Sequence, residues 1–269
     1  MAGMLVQPPA LVPAQGLVSV DTTGDLVRLA IVLTALVALA AAVSRAGGLG
    51  YARAQVTAAG RATGQLAVVG TLIGAVLDSW WLTGVFAALM VGVASVTAGR
   101  RVAPPPSRGW MWGFVPVCAA ALPVAAALLG TGVVPLVPIA LVPVVGILVG
   151  GAMTATTLAG RRVQDALRSR RGEVEAALSL GLLDRDARLL VSRADAGLAL
   201  VPGLDQTRTV GLVTLPGAFV GMLLGGATPI QAAAVQLVVL VALLLVAAVA
   251  TVLTLELSAR GIFSAAGQA

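Results

Sequence analysis

The chain has 269 residues, of which 59% are hydrophobic and only 10% charged, with a formal net charge of +6. Soluble domains carry about a quarter charged residues, so a water-soluble globular protein is excluded and an all-α, polytopic transmembrane bundle is expected. There is no histidine and no lysine, which removes imidazole bases, His metal ligands and any G-x-x-x-x-G-K-[ST] phosphate loop.

The first 25 residues read as an extracytoplasmic lead-in. Pro8, Pro9 and Pro13 interrupt them, and they lack the basic start and small-residue cleavage site of a signal peptide. Seven apolar spans are expected after them, each long enough for a hydrocarbon core of about 30 Å. Span one covers 26–43 and is followed by a basic loop with Arg45, Arg53 and Arg61. Span two covers 62–77 and ends at Asp78, Ser79 and the interfacial pair Trp80-Trp81. Span three covers 82–98, closed by Arg100, Arg101 and a stiff linker containing Pro104, Pro105 and Pro106. Span four covers 110–129 and includes Cys118, which reads as a buried, inert thiol. Span five covers 133–159, broken near its outer end by Pro135, Pro138 and Pro143. Spans six and seven cover 209–226 and 232–257. The domain organisation is therefore a lead-in, one transmembrane domain over 26–260, and a cytoplasmic tail over 261–269.

Arginine asymmetry orients the bundle. The loops after spans one, three and five carry nearly all the arginines, whereas Asp21, Asp25 and Asp78 mark the opposite side. The positive-inside rule then places the N-terminus outside and the C-terminus, with Arg260, inside.

Between 159 and 195 stand eight arginines and six carboxylates. Val163, Ala166, Leu167, Val174, Ala177 and Leu178 recur at three-to-four spacing, so an amphipathic helix extends span five into the cytoplasm. Gly181 is placed to end it in the left-handed conformation. Asp184 is placed to cap the next helix, with Asp186 in its first turn. The chain returns to the membrane at Val201-Pro202. The run from Glu175 through Ala176 and Ala177 to Gly181 fits a segment that receives force from a separate ATPase. Spacing alone favours an ordinary solvated loop with i,i+4 ion pairs over a coupling role.

Helix breakers and polar groups at membrane depth are the pathway candidates. Thr214-Leu215-Pro216-Gly217 lies mid-span: either Pro216 kinks a helix that lines a cavity, or Gly217, Gly221 and Gly225 pack closely, with Gly146 and Gly150 as partner. Gln236 either lines the cavity or bonds a neighbouring helix. Asp205 and Arg208 share a helical face, as a gate pair partly shielded from water or as an anchor for span six. Glu256 and Arg260 read as an i,i+4 pair at the inner interface.

The second half resembles the FetB/YbbM-like family of ABC transporter permeases. The residues that carry the likeness are Val142 to Gly146, Gly150 to Met153, Gly160 to Val163, the Glu175–Gly181 run and Val201 to Gly217. The last includes the string Thr209-Val210-Gly211-Leu212-Val213-Thr214-Leu215-Pro216-Gly217. Gly221, Gly225, Pro229, Ala232 and Gln236 continue it, so that it spans about 137–260, and Gly60 to Leu66 is a weaker match before span two. Bacterial members of that family include a proposed iron exporter, and plant relatives are implicated in aluminium tolerance.

The resemblance implies a permease subunit of an exporter in the bacterial cytoplasmic membrane, and seven spans, thin for a complete pathway, point to a homodimer. The absence of histidine, the single cysteine and the few intramembrane carboxylates argue against a metal site or cofactor in this chain, and the charge distribution points to the membrane rather than to nucleic acid. The resemblance puts ATP and Mg on a partner cytoplasmic ABC ATPase. Coupling residues are then Arg168, Arg171, Glu175, Ala176, Ala177, Gly181 and Asp184. Pathway or gate residues are Pro143, Met153, Pro202, Asp205, Arg208, Thr209, Thr214, Pro216, Gly217 and Gln236. The chain departs from the family pattern at Gly151 (Asn), Arg208 (Lys), Ala218-Phe219 (a Met pair) and Val235 (Tyr), which bears on cargo more than on fold. Two other classes remain: a secondary transporter or channel, and a membrane scaffold. The first would place coupling carboxylates near the bilayer centre, whereas Asp78 and Asp205 fall near span ends.

In a Cys118→Ala background, cysteine at Ser169 should be shielded from an impermeant thiol reagent added outside intact cells. Cysteine at Thr131 should be labelled. The reverse pattern would overturn the orientation.

Overall fold

A computed structural model describes residues 22–103 and 107–263. The expected lead-in up to 21, the prolines of the linker and the tail beyond 263 lie outside the described residues. The described chain is helical, without a strand, and forms two units that divide after Gly74.

The first unit holds α1 (Thr23–Ala46) and most of α2 (Ala52–Asp78). A capping box opens α1: Asp25 N–H donates to Thr22 Oγ1 at 3.2 Å, and Thr22 N–H donates to the Asp25 carboxylate at 3.3 Å. The expected basic loop is mostly helix. α2 starts at Ala52, so Arg53 and Arg61 are helical residues and only 47–51 connect the two helices. Ala, Arg and Gln between 52 and 65 are strong helix formers without being apolar, which is why hydropathy starts the span too late.

In the second unit, α3 (Trp80–Val102) follows α2 after Ser79 alone. The Thr83 hydroxyl donates to the Val76 carbonyl at 2.6 Å and ties the turn. A 3-10 turn (Arg108–Gly113) leads into α4 (Phe114–Gly130). Then come α5 (Pro138–Ser169), α6 (Arg171–Ser179), α7 (Asp184–Gly197), α8 (Val201–Thr209), α9 (Gly217–Leu224) and α10 (Pro229–Ala259). A second capping box, Thr228 with Gln231, opens α10 ahead of Pro229.

Six helical segments among the described residues are long and apolar enough to cross a membrane. The expected span six is not one of them. Gly211 takes φ +81°, Val210 is extended, and Pro216 is an extended N-cap rather than a kink inside a helix. The chain is thus broken into α8, a turn and α9. These elements pack along α10, with Gly203 near Leu244 and Thr228 at the start of α10.

The core lies where α3, α4, α5 and α10 meet, around Ala98, Val117, Leu148, Ala152, Val246 and Ala250. α3 and α5 run parallel: Gly146 faces Met90, and fourteen residues further along Gly160 faces Val102. α10 runs parallel to α5 as well, with Gly151 facing Leu243 and Val163 clustered with Leu255. The expected partnership of Gly146 with a glycine stripe on span six is therefore corrected. Gly146 meets a methionine of α3, and a Cβ on Gly217 or Gly221 would meet nothing within 4 Å.

The tightest approach joins α3 to the 3-10 turn. A Cβ on Gly99 would overlap the Trp110 carbonyl, and one on Gly113 would stand 2.6 Å from Gly99 Cα. Arg100 lies over the Trp110 ring at 5.3 Å, within cation–π reach. Gly99→Ala should lower thermal stability by about 1–3 kcal/mol through overpacking. Gly92→Ala, on the same helix with nothing within 4 Å of its Cβ, should be neutral or stabilising. Equal melting temperatures in detergent for both variants would refute the close contact.

Candidate functional site

The charged hairpin is built from the end of α5, α6 and α7. The expected uninterrupted helix through Leu178 is broken at Arg170, whose φ of −116° and ψ of 37° turn α6 away from α5. The Arg170 guanidinium is bonded there to Asp195 of α7, so the break closes the hairpin on itself. Gly181 has φ +93°, as the sequence requires. Leu182 N–H donates to the Ala177 carbonyl at 3.2 Å and Gly181 N–H to the Leu178 carbonyl at 2.9 Å, the pair of bonds of a Schellman motif. Asp184 is not the cap. Leu183 occupies that position without a side-chain bond, and Asp184 and Asp186 stand in the first turn, where carboxylates oppose the helix dipole.

The apolar stripe is partly realised: Val163, Ala166 and Ala177 are buried, Leu167 and Val174 half-buried, and Leu178 and Ala176 exposed. Val163 shares a cluster with Leu189 and Ala196 of α7 and with Leu255 and Ala259 of α10. Arg171 donates to Glu175 at 2.9 Å in an exposed i,i+4 pair, and Arg168 is exposed without an ion pair among the described residues.

Sequence reasoning identified Glu256–Arg260, and the structure places them 2.7 Å apart. It missed Arg185, which grips the same carboxylate bidentately, Nε to Oε1 at 2.7 Å and Nη2 to Oε2 at 2.8 Å. The hydrogen bond to Glu256 holds the Arg185 guanidinium above its ordinary value, burial opposes this, and Asp186 adds to it. The start of α7 is thereby tied to the end of α10. Leu180 and Leu183, either side of the Gly181 bend, are 83% and 73% exposed. Their signal in the sequence was two leucines outside the apolar stripe.

On the pathway side, the broken segment gathers Pro202, Asp205, Arg208, Thr209, Thr214, Pro216 and Gly217. The Thr209 carbonyl accepts from Leu212, Val213 and Thr214 at 3.3, 2.9 and 3.4 Å, and Gly211 N–H donates to the Thr214 carbonyl at 2.9 Å. Arg208 approaches Asp205 at 3.5 Å, but both side chains are mostly exposed, so the expected shielding is absent and the pair contributes little by itself. Pro143 lies exposed inside α5 and Met153 half-buried on it. Gln236 faces inwards on α10, 6% exposed, and its Oε1 has no hydrogen-bond partner among the described residues. Ser95, Thr156 and Thr251 are buried with unpartnered hydroxyl oxygens too. Nothing in the sequence singled these three out, because Ser and Thr in helices ordinarily bond the preceding turn.

Among the described residues, no group of three or more His, Cys, Asp or Glu side chains is placed to hold a metal ion. The UPF0014 family model (uncharacterised protein family) matches residues 26–263, which spans both units and the hairpin. The chain belongs to the UPF0014 family. It is 35% identical to the UPF0014 membrane protein STAR2 of Oryza sativa subsp. japonica, over 87% of this chain and 83% of that protein. It is 34% identical to the protein ALUMINUM SENSITIVE 3 of Arabidopsis thaliana, over 65% of each chain. The "Probable iron export permease protein FetB" of Escherichia coli (strain K12) is 28% identical over 60% of this chain and 62% of its own. No solved structure matches. The FetB-like likeness read from the second half thus holds for most of the chain, and this UPF0014 protein is a membrane protein of a permease-like family.

Limited trypsinolysis in membranes tests the tie between α7 and α10. Glu256→Ala should speed cleavage after Arg185 and Arg188 severalfold by freeing α7. Glu173→Ala, an exposed carboxylate without an ion pair among the described residues, should leave it unchanged. Equal cleavage in both would mean that α7 is held by its apolar face alone.

Proposed function

We propose that this UPF0014 protein is the membrane-spanning permease subunit of an ABC transporter, working with a separate cytoplasmic ATPase that binds ATP and Mg. The observation that carries the reading is the hairpin. It is fastened at Arg170–Asp195 and Arg185–Glu256, yet it presents Leu180 and Leu183 almost fully exposed at its bend. In the proposed orientation, N-terminus outside and C-terminus inside, those leucines face the cytoplasm, where no lipid covers them. An apolar tip on a rigid mount suits a groove on a partner protein. Arg168, Arg171, Glu175, Ala176, Ala177, Gly181 and Asp184 are the proposed coupling residues around it.

The pathway is proposed along the segment from Pro202 to Gly217, with Gln236, Met153 and Pro143 on the neighbouring helices and Asp205–Arg208 at its inner mouth. This segment crosses opposite α10, so that the chain makes seven passages with six long helices. Non-helical backbone at membrane depth is tolerated only against protein or a water-filled cavity. Leu212, Val213 and Leu215 in the turn are 90%, 78% and 59% exposed. A second copy of the chain across this segment covers the turn and encloses the cavity, which favours a homodimeric permease. The name of the Escherichia coli relative supplies export of a metal ion, iron, as cargo and direction, and bacterial relatives favour the plasma membrane.

The Leu180→Glu, Leu183→Glu variant should insert normally but lose co-purification with the proposed partner ATPase, as should Gly181→Val, which strains a left-handed bend by about 1 kcal/mol or more. In proteoliposomes, ferrous iron should stimulate ATP turnover of the wild-type pair. Retained ATPase binding by these variants would remove the coupling role. Transport that persists without the ATPase and follows an ion gradient would favour a secondary transporter.

A further inference from the structure

α1 and α2 meet in an open cleft of about 430 Å³ at the short 47–51 connection. Its exposed lining is nearly all apolar, formed by Ala41, Ala42, Ala52 and Val56 alongside Arg45, Arg53 and Thr57. The volume falls within the ~300–1,000 Å³ of small-molecule sites. No Asp or Glu occurs anywhere between 26 and 77, and neither Arg45 nor Arg53 makes an ion pair among the described residues.

Two unpaired cations on neighbouring helix ends repel each other unless an anion stands between them. Both helices are long and apolar enough to cross a membrane, so the anion at their juncture belongs at headgroup depth. Guanidinium donors match phosphate oxygens in pairs, while an alanine-lined wall suits hydrocarbon rather than a hydrated ion. We propose that this cleft is a binding site for one anionic phospholipid, its phosphate held between Arg45 and Arg53 and the upper part of an acyl chain laid against Ala41, Ala42 and Val56. Basic pockets between membrane helices bind acidic headgroups by this chemistry. Arg61 lies eight residues beyond Arg53 along α2, outside the cleft, and serves as a control for a charge away from it. The inference is independent of the transport reading.

Native mass spectrometry of the full chain, purified in mild detergent and offered phosphatidylglycerol or phosphatidylcholine, tests it. The wild type should retain one phosphatidylglycerol per chain in preference to phosphatidylcholine. Arg45→Gln and Arg53→Gln should each weaken retention about fivefold, the double variant more, and Arg61→Gln should not. The Arg45→Lys, Arg53→Lys protein keeps the charge without the paired donors and should bind less than the wild type but more than the double Gln variant, which separates lost recognition from lost folding. Displacement by inorganic phosphate would make this a free-anion site and overturn the lipid assignment. An equal loss in Arg61→Gln, or equal retention of the two lipids, would reduce it to diffuse attraction and overturn it as well.

Discussion

The backbone of α5 comes close to both α3 and α10 because Gly146, Gly151 and Gly160 carry no side chain where Met90, Leu243 and Val102 press in. In lipid the hydrophobic effect gives helices little reason to prefer one another over acyl chains, so close van der Waals packing between small residues holds them together. Buried alanines do the same work at Ala98, Ala152 and Ala250. The remainder of the second unit is arranged around this three-helix contact: α4 fills the side, the 3-10 turn lies on Gly99, and α7 rests on the continuation of α5 and α10 beyond it. A bulkier α5 would separate its neighbours and displace everything docked on them.

Because α5 continues for 32 residues, about 48 Å at the usual rise, packed bundle and charged hairpin share one rod. The character of the contacts changes along it. Near Leu148 and Ala152 they are wholly apolar, near Val163 and Ala166 apolar on one side only, and at Arg170 ionic. The carboxylate of Glu256 is shared between Arg185 and Arg260, so the end of α10 and the start of α7 have a common electrostatic partner. Displacement of α7 therefore acts on two long helices at once, through packing on α5 and through charge on α10.

Hydropathy made five of the seven expected spans legible as continuous helices within a few residues, and it found the beginning of α2 late because Arg53 and Arg61 interrupt the apolar run while favouring helix. Gly181 was legible because only one backbone conformation explains a glycine at the end of an amphipathic stripe. Asp184 was misassigned by one position, since a carboxylate stabilises the first turn as well as the cap. Span six misled because its composition is apolar whether or not its backbone is helical; Gly211 and Pro216 together carried the signal for a break. The carboxylate partner of Arg185 lies 71 residues away, a contact that no local pattern encodes. The unpartnered oxygens of Ser95, Thr156, Thr251 and Gln236 arise from three-dimensional packing alone.

α8 and α9 have nine and eight residues, below the ~12–15 at which an isolated helix holds together in water. Each therefore depends on α10 and on whatever covers its other side. Local opening of such a segment costs less than melting the bundle, because few buried side chains and few backbone bonds are lost with it. Its amide protons should exchange with solvent well ahead of those in α5 and α10. This stretch of short helices thus lies between α7, tied through Arg170–Asp195 and Arg185–Glu256, and the long apolar helix α10. Movement passed along the chain beyond α7, as distinct from its contacts with α5 and α10, would there be absorbed by unwinding and rewinding of short helices.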